Sequence, residues 1–353
     1  MNLGISDKAF RVLSYRGHSH RLFKKEATKA YTAKGRKGLL MELQNCGEKD
    51  QTKNVNVPME QEQSPLQQNL EEKGDFQRIF FIHLLFSEKP QRPPIETVHA
   101  ALRKAFGQVD IVCSKGLWSF ALKKYPVDFS DVKQVPAQIL LTEEMPSGTE
   151  KLGFMERSQL WNIPDGEALL DRCPWKVMLS DFMSSLLSYQ ERSQMLLEWL
   201  QVAMDLFPSC LGVWVPSAGK LHTAQQVRDI LAEKQDPFIR LAVNARFFRI
   251  QGTQDNVVDT LGMYALGLPD VQYHFHEMDP NHVVNHAYCL ASYLFQNNSP
   301  IQSGETVDGI GPDGNIQRGI QWRCQYEHAL IQPAREVLDI CPGIYASGFR
   351  EEG

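Results

Sequence analysis

What this 353-residue chain lacks narrows its possibilities before any motif is considered. It has no CxxC pair, and its seven cysteines are odd in number and widely spaced, which argues against a zinc ribbon and a disulfide framework. Its longest apolar run, Ile79–Phe86, is interrupted by His83 and falls far short of the roughly eighteen residues a membrane helix needs. Residues Met1–Phe10 hold no apolar segment of signal-peptide length. A reducing, cytoplasmic setting without membrane contact is therefore predicted. No GxxxxGK motif, GxSxG elbow or HExxH helix is present, so phosphate-loop, serine-hydrolase and zinc-protease chemistry have no sequence support. The net charge of −5 carries no whole-chain signature for nucleic acid.

What is there is unevenly distributed. Residues 1–40 form a basic extension, with ten Lys and Arg residues against Asp7 and Glu26. Nucleic-acid contact is expected only there, and a solvated tail is the simpler expectation. Residues 41–76 are rich in Gln, Glu, Asn and Lys, and a disordered linker is predicted because burial cannot offset their ordering entropy. Residues 77–349 form the patterned domain, with 77–170 and 171–349 as candidate halves.

Within it, strands alternate with helices. Ile79–Phe86 is apolar apart from His83, as in a strand covered on both faces. Pro93 and Pro94 open a helix whose stripe is Ile95, Val98, Leu102 and Phe106. Short strands are expected at Val109–Cys113, Trp118–Leu122, Gln138–Thr142, Lys176–Ser180 and Cys210–Val215, with helices at Tyr189–Leu206 and Thr223–Glu233. Further strands are predicted at Leu241–Ile250, Val271–Glu277 and Ile320–Tyr326, with helices at Val257–Leu266 and Asn281–Gln296 between them. The class is α+β with α/β character: a mixed sheet flanked by helices, in two successive strand–helix halves behind a flexible N-terminal extension. Gly309–Gly314 matches GxGxxG, but Pro312-Asp-Gly314 is turn chemistry followed by a strand, so a hairpin loop is predicted.

Between Asp270 and His286 lie four histidines and three carboxylates. On the strand, Gln272, His274 and His276 share one face, opposite Tyr273 and Phe275. On the helical wheel His282, His286 and Cys289 fall opposite the apolar arc, so they are expected to point away from the sheet. The two histidine pairs then diverge, and no metal or other cofactor is predicted. His282, His286 and Cys289 remain the alternative metal set.

Alternation also places polar side chains on one face of several strands: Asn244 and Arg246, Gln272 and His274, Gln321 and Glu327. Asp259, at a helix start, and Asp270, at a strand start, are expected to border them. An arginine with carboxylates and amides suits a small polar or anionic ligand, so these eight residues are the candidate binding set. An ordinary solvated sheet face is the alternative account.

Several phrases together resemble one family. They include Phe81-Ile-His-Leu-Leu-Phe86, Leu179-Ser-Asp-Phe182 with Arg192, Val243-Asn-Ala-Arg-Phe-Phe248, Asp259-Thr-Leu-Gly-Met-Tyr-Ala-Leu-Gly-Leu-Pro-Asp-Val-Gln272, Trp322-Arg-Cys-Gln-Tyr-Glu327 and Pro333-Ala-Arg-Glu-Val-Leu-Asp339. In order and spacing these are similar to the bacterial domain-of-unknown-function family 4261 (DUF4261), over about residues 77–349. The resemblance implies a bacterial, cytoplasmic protein and supplies no reaction. The expected function is non-catalytic binding of another protein, as an accessory or immunity-type module. The alternative is an enzyme or small-ligand binder built on Arg246, Gln272, His274 and Glu327.

Overall fold

The computed structural model describes residues 79–233 and 235–348; the basic extension and the linker lie outside them. Two sheets form the frame. The first, with order β2-β3-β4-β6-β1-β7-β8, is antiparallel throughout. Its strands are β1 (Phe81–Phe86), β2 (Val109–Cys113), β3 (Trp118–Val127), β4 (Val135–Leu141), β6 (Trp175–Phe182), β7 (Gly212–Val215) and β8 (Lys220–Thr223), and the short β5 (Met145–Pro146) pairs with β6. The second sheet runs β12-β13-β14-β11-β10-β9. It comprises β9 (Asn244–Arg249), β10 (Asn256–Leu261), β11 (Asp270–Phe275), β12 (Thr306–Ile310), β13 (Ile316–His328) and β14 (Glu336–Cys341), and only β11 and β14 pair in parallel. The chain is of the α+β class expected from the sequence, with its strands divided between two sheets, one of them mixed.

Helices α1 (Ile95–Phe106), α4 (Tyr189–Leu206) and α5 (Ala224–Ala232) cover one face of the first sheet, burying Ile82, Leu84, Val98, Leu102, Trp199 and Val227 in one core. Local chemistry starts two of them. Ser188 with Glu191 and Thr223 with Gln226 form reciprocal capping boxes that satisfy otherwise orphaned backbone donors. On the opposite face, the segment carrying α2 (Phe154–Arg157) and α3 (Gly166–Asp171) buries Leu85, Trp214 and Leu221. It leaves Phe81 exposed, so β1 is not covered on both faces along its whole length.

The second sheet packs Val258, Tyr273, Phe275 and Leu338 against α7 (Pro280–Gln296). The short α6 (Pro237–Ala242) joins the two cores: Phe238 and Leu241 belong to the first, Ile239 to the second. Phe238 stacks on Phe295 of α7, and the Tyr189 hydroxyl of α4 donates to Phe295 O at 2.6 Å. A buried ion pair adds to this junction. Arg192 Nε lies 2.6 Å from Asp181 Oδ2, while its Nη1 donates to Ala265 O.

Two expected elements differ. Val257–Leu266 is not a helix: its first half is β10, and a one-turn 3-10 segment follows at Met263–Leu266. Asn256–Leu261 is buried residue by residue, so its pattern lacks the alternation that marks a half-buried strand. Leu241 and Ala242 close α6 rather than opening β9. Gly309–Gly314 is, as expected, part of a hairpin: it ends β12 and makes the turn into β13.

Candidate functional site

Pairing register aligns one polar row across five strands. Arg246 on β9 faces Asp259 on β10, Asp259 faces Gln272 on β11, Gln272 faces Asp339 on β14, and Asp339 faces Gln325 on β13. This row lies on the face turned away from α7. Asp259 therefore sits in mid-strand, not at a helix start.

The inner part of the row is a buried network. Arg246 donates to Asp259 through two bonds, Nε to Oδ1 at 2.9 Å and Nη2 to Oδ2 at 2.6 Å. Arg335, which enters from just before β14, donates to Asp259 Oδ2 at 2.5 Å and to Asp270 Oδ2 at 3.2 Å. Asp270 also accepts from Thr260 Oγ1 and from the backbone amides of Gly262, Met263 and Tyr264, which fixes the turn between β10 and β11. That turn requires a glycine. Gly262 has φ +141°, and a Cβ there would lie 2.0 Å from Ala242 O.

Burial raises the Asp270 carboxyl above its ordinary range, against the pull of Arg335. Burial alone would lower the Arg335 guanidinium, yet Asp259 and Asp270 outweigh it and hold it above its ordinary value. The loop before β14 closes the network from outside. Its carbonyls at Ile331, Gln332 and Pro333 accept from Arg335 and Arg246, and its Leu330 amide donates to Gln272 Oε1.

The candidate binding residues divide accordingly. Arg246, Asp259 and Asp270 meet in the network, and Gln272 lies beside Asp259 in the row, with its Nε2 donating to Asp339 Oδ1 at 3.0 Å. His274, on the same face, lies 3.6 Å from Asp255 Oδ2, where Ser347 Oγ links Asp255 to His276. Asn244 donates to Gln159 O and Gly219 O between the two sheets. Gln321 is exposed on the β12–β13 hairpin, bonded to Thr306 and Asp308, and Glu327 is half-buried near the end of β13. Arg335 and Asp339 were missed. Both lie in the quoted phrase Pro333–Asp339, but no strand was expected there, so the alternation that puts them on one face went unused.

The alternative metal set is not assembled. His286 points into the second core, against the expectation from the helical wheel. Its Nε2 donates to Asp308 O at 2.8 Å, and its Nδ1 accepts from the Tyr273 hydroxyl at 2.6 Å. Burial lowers its pKa to about 4. The reason is the hairpin: β12 and β13 curl around α7, so that Trp322 and the Gly314 turn cover the helix flank bearing His286 and His282. Among the described residues no cluster of three or more His, Cys, Asp or Glu side chains is placed to hold a metal ion.

No curated protein and no solved structure matches the chain. The span from Asp259 to Cys341 contains Asp270, Gln272, Arg335 and Asp339, and it matches the family described as Domain of unknown function (DUF4261), the one its phrases resemble.

Proposed function

We propose that the protein works by binding another protein, without catalysis, through the solvent face of β13. The observation that carries this is the contrast within one polar row. Its charged interior is bonded to itself and roofed by a loop, whereas Gln321, Arg323 and Gln325 stand exposed at its outer end. Trp322 and Cys324 are buried between them, so the exposed side chains stand on a strand fixed from behind. Arg323 has no carboxylate partner among the described residues, so it is free to meet an acidic group on a partner.

Arg246 and Arg335 already face Asp259 and Asp270, which makes an anionic substrate in the network a poor electrostatic match. This favours binding over the alternative enzyme built on Arg246, Gln272, His274 and Glu327. A bacterial, cytoplasmic accessory or immunity-type role is part of the proposal. It rests on the family resemblance and on six described cysteines that are all free. No helix among the described residues is long and apolar enough to cross a membrane.

Cross-linking of the full chain in its native cells, read by mass spectrometry, tests the reading. Cross-links from a partner protein should fall around β13 and disappear in Arg323→Glu. A partner retained unchanged by Arg323→Glu, or cross-links confined to other faces, sinks it.

A further inference from the structure

The outer face of the first sheet holds a half-buried lysine with no counter-ion. Lys176 of β6 lies opposite Leu85 of β1 on one side and Met145 of β5 on the other. Met178, two residues along the strand, shares its face. Its ammonium makes no ion pair and no hydrogen bond among the described residues. By contrast, even the exposed Lys123 and Lys124 lie 2.9 Å from carboxylates, and the buried Lys220 donates to two carbonyls.

The surroundings do not replace the missing partner. Glu150 and Lys151 are the charges that reach Lys176; they are opposite in sign, and Glu150 stays beyond ion-pair distance. His83, diagonally across on β1, adds no charge, because burial, reinforced by Lys176, lowers its pKa to about 3. Nearby the chain turns at Gly148, where an added Cβ would stand 4.0 Å from Nζ, so the missing side chain leaves the nitrogen uncovered on that side. An ammonium that loses hydration without gaining an anion is destabilised relative to the neutral amine. Burial accordingly lowers the Lys176 pKa. The neutral form carries the lone pair that makes an amine a nucleophile.

We propose that Lys176 is a nucleophilic amine that forms an imine with a small uncharged aldehyde. The nitrogen lone pair attacks the carbonyl carbon, and the C=O pair moves to oxygen. That oxygen then leaves as water, taking both amine protons, so no oxidant or reductant takes part. The apolar flanks of Leu85, Met145 and Met178 suit a short apolar chain on the aldehyde. The site lies on the first sheet and is independent of the β13 surface.

Propanal with cyanoborohydride, applied briefly to the full chain and read by peptide mass spectrometry, tests it. At about pH 7.5 Lys176 should be alkylated at least about threefold faster than the exposed Lys115, because more of it is neutral. The preference should shrink as the pH approaches about 10, where ordinary lysines also lose their protons, whereas a preference due to access alone would persist. Met145→Glu, at a half-buried position opposite Lys176, supplies the missing carboxylate and should remove the preference. If that variant fails to fold, the pH series on the unaltered chain decides. Labelling of Lys176 no faster than that of Lys115 overturns the proposal. So does a preference that neither pH nor a folded Met145→Glu variant changes.

Discussion

Arg335 and Asp259, seventy-six residues apart in the chain, hold each other at 2.5 Å where solvent reaches 1% of one side chain and none of the other. Removing one member of such a pair leaves an uncompensated buried charge, whereas an exposed arginine contributes little. Arg335→Met is therefore expected to cost about 3–5 kcal/mol in chemical denaturation. Arg323→Met, on the solvent face of β13, should stay within about 0.5 kcal/mol. Equal effects from the two would mean that the network does not stabilise the fold.

Gly262 supplies the second prediction. Its positive φ and its approach to the Ala242 carbonyl are separate obstacles to any side chain, and the obstructing atom is backbone at the end of α6. Gly262→Ala should lower stability by about 3 kcal/mol or more, measured by the denaturant midpoint. Gly219→Ala is the comparison. It also has a positive φ but nothing within 4 Å of the added carbon, so its loss should be about 1 kcal/mol. Similar losses at both sites would show that close approach is not what selects glycine at 262.

These sites show where the sequence was legible and where it was not. Amphipathic elements with capping signals, such as α4 behind Ser188 and α5 behind Thr223, could be placed because the information is local. The division of Gln272 and His274 from Tyr273 and Phe275 across β11 also follows from alternation alone. β10 and β14 could not be placed in this way, because strands buried on both faces lose their period. With β14 unassigned, the partners of Asp259 and Asp270 could not be identified. His286 was misplaced for a related reason: the curl of a distant hairpin around α7, which no helical wheel contains, decides its burial.

Acid sensitivity follows from histidines kept neutral in the fold. Burial lowers His222 to about 3 and His286 to about 4, against 6.5 for the free side chain. Below pH 6.5 the unfolded chain takes up protons that the native protein refuses. The histidines' contribution to stability is thus full above 6.5 and is lost as the pH drops toward about 4. His286→Gln keeps a donor for Asp308 O and an acceptor for the Tyr273 hydroxyl. It should fold and show a pH slope shallower by up to about 1.4 kcal/mol per unit. Parallel pH profiles for the two proteins would refute the assignment.

The last prediction concerns Lys220, whose ammonium donates to Arg240 O at 2.7 Å and Val243 O at 2.6 Å, at the C-terminal end of α6. Burial, aided by the neighbouring charge of Arg240, brings its pKa down from 10.5 to about 7. Between about 7 and 10.5 the unfolded chain keeps a proton that the native lysine releases, so stability rises with pH across that window. Lys220→Met should abolish this rise. It should also cost about 1–3 kcal/mol near neutral pH, because two buried carbonyls lose their donor. The two effects separate in urea titrations repeated across the alkaline window. A variant that is merely weaker, with the wild-type slope intact, would show that Lys220 stays charged in the fold and acts only as a hydrogen-bond donor to α6.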